Sequence, residues 1–177
     1  MSHPVLTTAR LTLTPVALTD FDDLCVLWTD EGFTRHITGR PLPEEDVWFR
    51  LLRDLGHWSA LGRGNWTMRL RETGAYAGSV GVLDYRRGVQ PAMAAPELGW
   101  GLGAAFQGLG LASEGVAAAL DWTDHVLKAP RTVCMIGPAN LASLRLAGRV
   151  GYASYAQTVY RDEPVILLER RSPPDLR

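Results

Sequence analysis

"FQGLGLASEGVAAALDW", residues 106–122, places two glycines, Gly108 and Gly110, directly before a run with helical spacing. Val116, Leu120, Thr123 and Leu127 recur on one helical face, Ala117, Ala118 and Ala119 permit close approach, and Pro130 ends the run. Upstream, "ELGWGLG", residues 97–103, reads as a strand with glycine at alternate positions. A strand, a glycine turn and a helix N-terminus make a natural anion site, because unpaired backbone N–H groups face outward with the positive end of the helix dipole behind them. The two commonest versions are excluded. A P-loop needs lysine and then Ser or Thr after its last glycine, where Leu111 and Ala112 stand. A dinucleotide fingerprint needs a third small residue in register and a carboxylate ending the next strand. Here Ser113 stands third and "TVCMIGP" ends without an acid, which argues against a nicotinamide-dependent oxidoreductase. The plain alternative is that both glycines only turn the chain before a buried helix.

Working outward, "ARLTLTPVAL" (9–18) alternates as a half-buried strand, and Thr19 and Asp20 open a short helix through Trp28. A second helix follows in "PLPEEDVWFRLLRDLGHWSALG" (41–62), with Pro43 and three acids at its positive end and Gly62 at its stop. Its apolar face is Val47, Leu51, Leu55 and Trp58. "NWTMRL" (65–70) and "YAGSVGVLDY" (76–85) are strands, and "RRGVQPAMAAP" (86–96) is a loop before the strand at Glu97. After the glycine-led helix come an apolar strand, "TVCMI" (132–136), and a short helix capped by Asn140 and closed near Gly151. Two final strands lie in residues 152–171. The expected order is β, α, α, β, β, β, α, β, α, β, β, an α/β unit spanning residues 1–177 with a mixed, mostly antiparallel sheet of about seven strands.

Eighteen basic and 19 acidic side chains give a net charge of −1, so composition argues for neither a nucleic-acid nor an anionic-membrane partner. Cys25 and Cys134 lack a second ligand at metal-binding spacing and read as reduced core residues. The segment "MSHPVLTTARLTLTPV" lacks the form of a secretion signal, and no apolar run approaches the ~20 residues of a membrane span. A cytoplasmic protein is expected.

Gln107, Gly110 and Ala112 fit Q/R-x-x-G-x-G/A, and "PELGWGL" before them and "NLASLRLAGRVGY" after them stand in order at matching spacing. In these three blocks the chain resembles the GNAT N-acetyltransferases, and residues 35–82 resemble their RimJ/RimL-type branch. The resemblance implies the GNAT acyl-CoA N-acyltransferase fold, its sheet splayed between the fourth and fifth strands. It also implies acetyl-CoA as cosubstrate, no metal, and a primary amine acceptor, either a protein N-terminus or a small molecule, with homodimers common among members. Carried over by position, Trp100, Gly101 and Leu102 contact the pantetheine arm and thioester, with a backbone N–H near Leu102 as oxyanion donor. Gln107, Gly108, Leu109, Gly110, Leu111 and Ala112 cradle the pyrophosphate, and Asn140 and Ser143 meet the pantetheine. Glu114, in the same first turn, is expected to point away from the anion.

An amine at neutral pH is mostly protonated, and Glu97, at the mouth of the strand, is the leading general base, directly or through water. Asp84 and His36 are weaker candidates. Many members carry a tyrosine seven positions after the capping asparagine to protonate the leaving thiolate. Here that position is Ala147, which leaves Ser143 as the nearest hydroxyl. Arg35, His36, Trp48 and Tyr85 are the expected acceptor lining. The competing functional reading is an acyl-CoA binding or sensing domain without turnover.

Overall fold

The computed structural model describes residues 3–173. An eight-stranded sheet runs in the spatial order β1 (Leu6–Thr7), β2 (Leu11–Pro15), β3 (Asn65–Leu70), β4 (Tyr76–Leu83), β5 (Glu97–Leu102), β6 (Arg131–Ile136), β8 (Glu163–Arg171), β7 (Ala153–Tyr160). Every neighbouring pair is antiparallel except β5 and β6. The helices are α1 (Phe21–Thr29), α2 (Glu31–Thr34), α3 (Glu44–Leu61), α4 (Leu111–Trp122) and α5 (Leu141–Arg149).

The expected order holds with two additions, β1 and α2. Two residues of β1 cannot display a period, and α2 is one turn set by the Asp30 carboxylate, which accepts the Gly32 N–H at 2.7 Å. The β7–β8 connection is a tight turn with Arg161 and Asp162 at φ +52° and +67°, formed without glycine.

Alternation decides which helix covers which face. Trp66 and Met68 of β3, Val80 and Val82 of β4, and Leu98 and Leu102 of β5 are buried in register on one face, under α4. Gly115 of α4 lies where a Cβ would collide with the Met68 sulfur, so the helix approaches β3 closely. The rings of Trp58, Trp66 and Trp122 meet edge-on at 4.9 and 5.2 Å, joining α3, β3 and α4. On the opposite face, buried Asp20 at the start of α1 accepts from Thr67 Oγ1 at 2.8 Å and from Arg69 at 3.0 Å. This network sets α1 on the sheet.

β5 and β6 share one paired position, Glu97 with Val133, and the Val133 N–H donates to Pro96 O at 3.0 Å. Beyond Glu97 the register stops. This is the expected splay, one strand later in the count because β1 adds a strand at the front.

Candidate active site

The orientation of the β5 backbone follows from its hydrogen bonds. The Gly103 N–H donates to Ala77 O, so the residues in phase with it, Gly101 and Gly99, also bond to β4. Trp100 and Leu102, out of phase, turn their main-chain groups toward β6, where pairing has ended. The Leu102 carbonyl accepts from Gln107 Nε2 at 3.0 Å, which leaves its N–H to the gap. Gly101 contributes differently. A Cβ there would lie 2.5 Å from Phe33, so its bare backbone seats that ring against the strand.

The chain then enters the glycine loop. Gly108 and Gly110 both have positive φ, +76° and +78°, a conformation that side chains disfavour. The backbone N–H groups of Gly108, Leu109, Gly110, Leu111, Ala112 and Ser113 have no hydrogen-bond partner among the described residues, and the first bond of α4 is Glu114 N–H to Gly110 O. Six successive free donors at the positive end of α4 fit a pyrophosphate, which main-chain N–H groups bind without a lysine.

Glu114 is turned to Arg10 and Thr8, accepting from the Arg10 N–H and Nε at 2.7 Å each and from Thr8 Oγ1 at 2.6 Å. Burial works to raise its pKa, and these hydrogen bonds outweigh it, holding the carboxyl below its ordinary range. Arg10 also donates to Leu109 O at 2.8 Å, bracing the loop from behind.

Asn140 caps α5, its side-chain oxygen accepting the Ser143 N–H at 3.2 Å. The Ser143 hydroxyl has no partner among the described residues. Ala147 is fully buried.

Glu97 is buried at the closed end of the splay, with both carboxylate oxygens accepting from Arg87, each at 2.7 Å. Arg87 also lies over the rings of Tyr85, at 4.8 Å, and Tyr160, at 5.1 Å. Desolvation pushes the Tyr85 phenol up to about 12, so it stays neutral. Of the expected acceptor lining, Tyr85 joins this cluster. Arg35 and His36 are exposed just beyond α2, whereas Trp48 packs edge-on against Phe21 beside Glu44 and Glu45. Asp84 takes weak ion pairs with Arg86 and Arg63 at 3.3 and 3.8 Å, away from β5's open end.

Sequence reasoning missed Arg87, Phe33, Trp28 and Asp30. The Trp28 and Phe33 rings meet edge-on at 4.9 Å. Asp30 caps α2 and also accepts the Ala104 N–H at 2.9 Å, tying α1 and α2 to the segment entering the glycine loop. The Ala104 hydrogen bond is the main cause holding its carboxyl below the ordinary range. An aspartate before "EGF" is a cap signal, but its second partner is 74 residues away.

No group of three or more His, Cys, Asp or Glu among the described residues is placed to hold a metal, and no helix among them is long and apolar enough to cross a membrane. Over 150 residues the chain is 27% identical to the uncharacterized N-acetyltransferase p20 of Bacillus licheniformis, covering 83% of this chain and 81% of that one. A structure from Bordetella pertussis, assigned to the GnaT acetyltransferase family, superposes with a TM-score of 0.84 at 33% identity, covering 94% and 99% of the two chains. RimL, a ribosomal L7/L12 α-N-protein acetyltransferase solved with coenzyme A, shares the fold with a TM-score of 0.78 at 14% identity, over 95% and 98%. Residues 10–153 match the Acetyltransferase (GNAT) domain, the stretch that holds the free N–H run, the open edge of β5 and the Asn140 cap, and the chain belongs to the GNAT acetyltransferase family.

Proposed function

We propose that this enzyme carries the acetyl group of acetyl-CoA to a primary amine by direct attack, without an acyl-enzyme stage. The observation that carries the reading is the run of six unpartnered N–H groups opening from the end of a strand whose outer edge is itself unpaired. The first suits a pyrophosphate and the second suits the amide-bearing arm attached to it. The coenzyme A held by RimL on the same fold supports the donor, and its protein acceptor supports an N-terminal amine as one acceptor.

The thioester supplies the activated acetyl group, and the chain's part is orientation and charge. Leu102's N–H, aimed into the gap, donates to the carbonyl oxygen as negative charge builds on it, with Trp100 alongside. The amine nitrogen forms the new C–N bond as the C–S bond breaks, and the thiolate leaves beside Ser143. With a reference thiol pKa of ~8.5, it needs little help from an acid, which suits a chain with Ala147 where a tyrosine is common.

Glu97 receives the amine's proton through water. Both of its carboxylate oxygens are already held by Arg87, so the contribution expected is about tenfold, below the usual range for general bases. An acceptor α-amine, with a reference pKa of ~7.7–8.0, places a modest demand on such a base.

The test is release of free thiol from acetyl-CoA against a panel of peptides and small amines. Turnover with an amine at rates well above hydrolysis is expected. Tight CoA binding with no release for any amine leaves a binding domain in place of an enzyme.

A further inference from the structure

Among the described residues, the acceptor side holds a cation without a counter-ion. Arg50, half-buried on α3, lies with its guanidinium carbon 4.2 Å from the centre of the Trp28 ring. Trp28 packs on Phe33 and Phe33 on Gly101, so Arg50 is two rings from the strand edge where the thioester is proposed to lie. None of its nitrogens has a hydrogen-bond or ion-pair partner among the described residues. The nearby carboxylates are already engaged, Asp54 by Arg53 at 2.8 Å and by Asn65 at 2.8 Å, and Glu97 by Arg87.

The neighbours are cationic. Arg53 and Arg87 flank Tyr85 at 4.6 and 4.8 Å, and Arg161 lies over Tyr160 at 5.3 Å, in a turn with exposed Asp162 and Glu163. Burial first, and then the repulsion of Arg53, pull the Arg50 pKa below its ordinary value. Arg50, Arg53, Arg87 and Arg161 thus gather where Asp54 and Glu97 are already paired and Asp162 and Glu163 lie exposed in the turn. A guanidinium stacked on an indole keeps its in-plane N–H fork free, and that fork matches a carboxylate.

We propose that Arg50 reads a carboxylate on the acceptor, so that the preferred substrate is a primary amine carrying an anionic carboxylate near the amine. This rests on the acetyl-transfer reading. The carboxylate belongs to a free amino acid or to an acidic residue next to a peptide's N-terminus, and the same geometry disfavours polyamines.

The experiment compares matched acceptors that differ only in carboxylate against carboxamide, in two arms. One uses amino acids and their amides. The other uses C-terminally amidated peptides with Asp or Asn in second position, and spermidine serves as the cationic control. The expected result in at least one arm is a kcat/KM about ten- to a hundredfold higher for the carboxylate. Arg50→Gln brings that ratio close to one, Arg50→Lys recovers part of it, and the KM for acetyl-CoA stays unchanged in both.

Calorimetry of the same acceptors on CoA-loaded protein runs in parallel. Arg50-dependent carboxylate binding without thiol release counts against acetyl transfer and keeps the carboxylate site. A ratio near one in the wild type in both arms, spermidine as the best acceptor, or a preference unmoved by Arg50→Gln overturns the proposal.

Discussion

The two sides of the proposed site are made of different material. The proposed donor side offers the main-chain N–H groups of Trp100, Leu102 and residues 108–113, with Gly108 and Gly110 keeping side chains out of the way. The proposed acceptor side is made of side chains, Trp28, Phe33, Arg50, Tyr85, Arg87 and Glu97, brought together from α1, α2, α3, β5 and the loop between β4 and β5. A backbone site needs one continuous stretch and tolerates any neighbours that stay small. A side-chain site needs several elements to arrive at once.

The largest expected effect breaks the backbone side. Leu109 is 57% exposed between the two glycines, so Leu109→Asp adds a carboxylate to the cradle without opening the core. CoA affinity is expected to fall about a hundredfold by calorimetry while the melting temperature changes little. Unchanged affinity would put the pyrophosphate elsewhere.

The joint between the two sides comes next. Gly101→Ala drives a methyl group into the Phe33 ring, at an expected cost of about 1–3 kcal/mol in stability by denaturant titration. A variant as stable as the parent would show that Phe33 moves freely off the strand.

Glu97→Gln separates the acceptor side's chemistry from its packing. The rate is expected to fall about tenfold at pH 7 and to converge on the parent toward pH 9, where amines lose their proton unaided. A loss that is the same at every pH would make Glu97 an anchor for Arg87 only.

Asp30→Ala is the mildest, costing about 1 kcal/mol as the loss of a cap. Because the folded Asp30 carboxyl lies below its unfolded value of ~3.9, its contribution is full above that pH. The gap between variant and parent should therefore close as the pH falls through the folded value. A gap that persists in acid would place the effect in packing.

The fold and the glycine-led turn before α4 were legible along the chain because both depend on local pattern. Leu11 and Leu13 alternate with Thr12 and Thr14, and both leucines are fully buried. The glycines before α4 mark positive φ, and Glu114, out of place beside an anion, is indeed engaged behind the loop by Arg10. The acceptor lining was hard to read because its members share no spacing. Arg87 sits in a loop with no period, and Trp48 and Arg50, two residues apart on α3, are about 200° apart around it. Nothing in "VWFRLL" tells which of the two faces the cleft.

The sequence by itself determined the order of the main elements, the strand leading into a glycine turn and a helix, and the membership in an acetyl-transferring family, since each rests on short blocks of residues adjacent in the chain. The tertiary structure alone decided that Glu97 is held by Arg87 and that Arg50 stacks on Trp28 with no acid beside it among the described residues, because charge pairing depends on which distant side chains meet when the sheet and helices close.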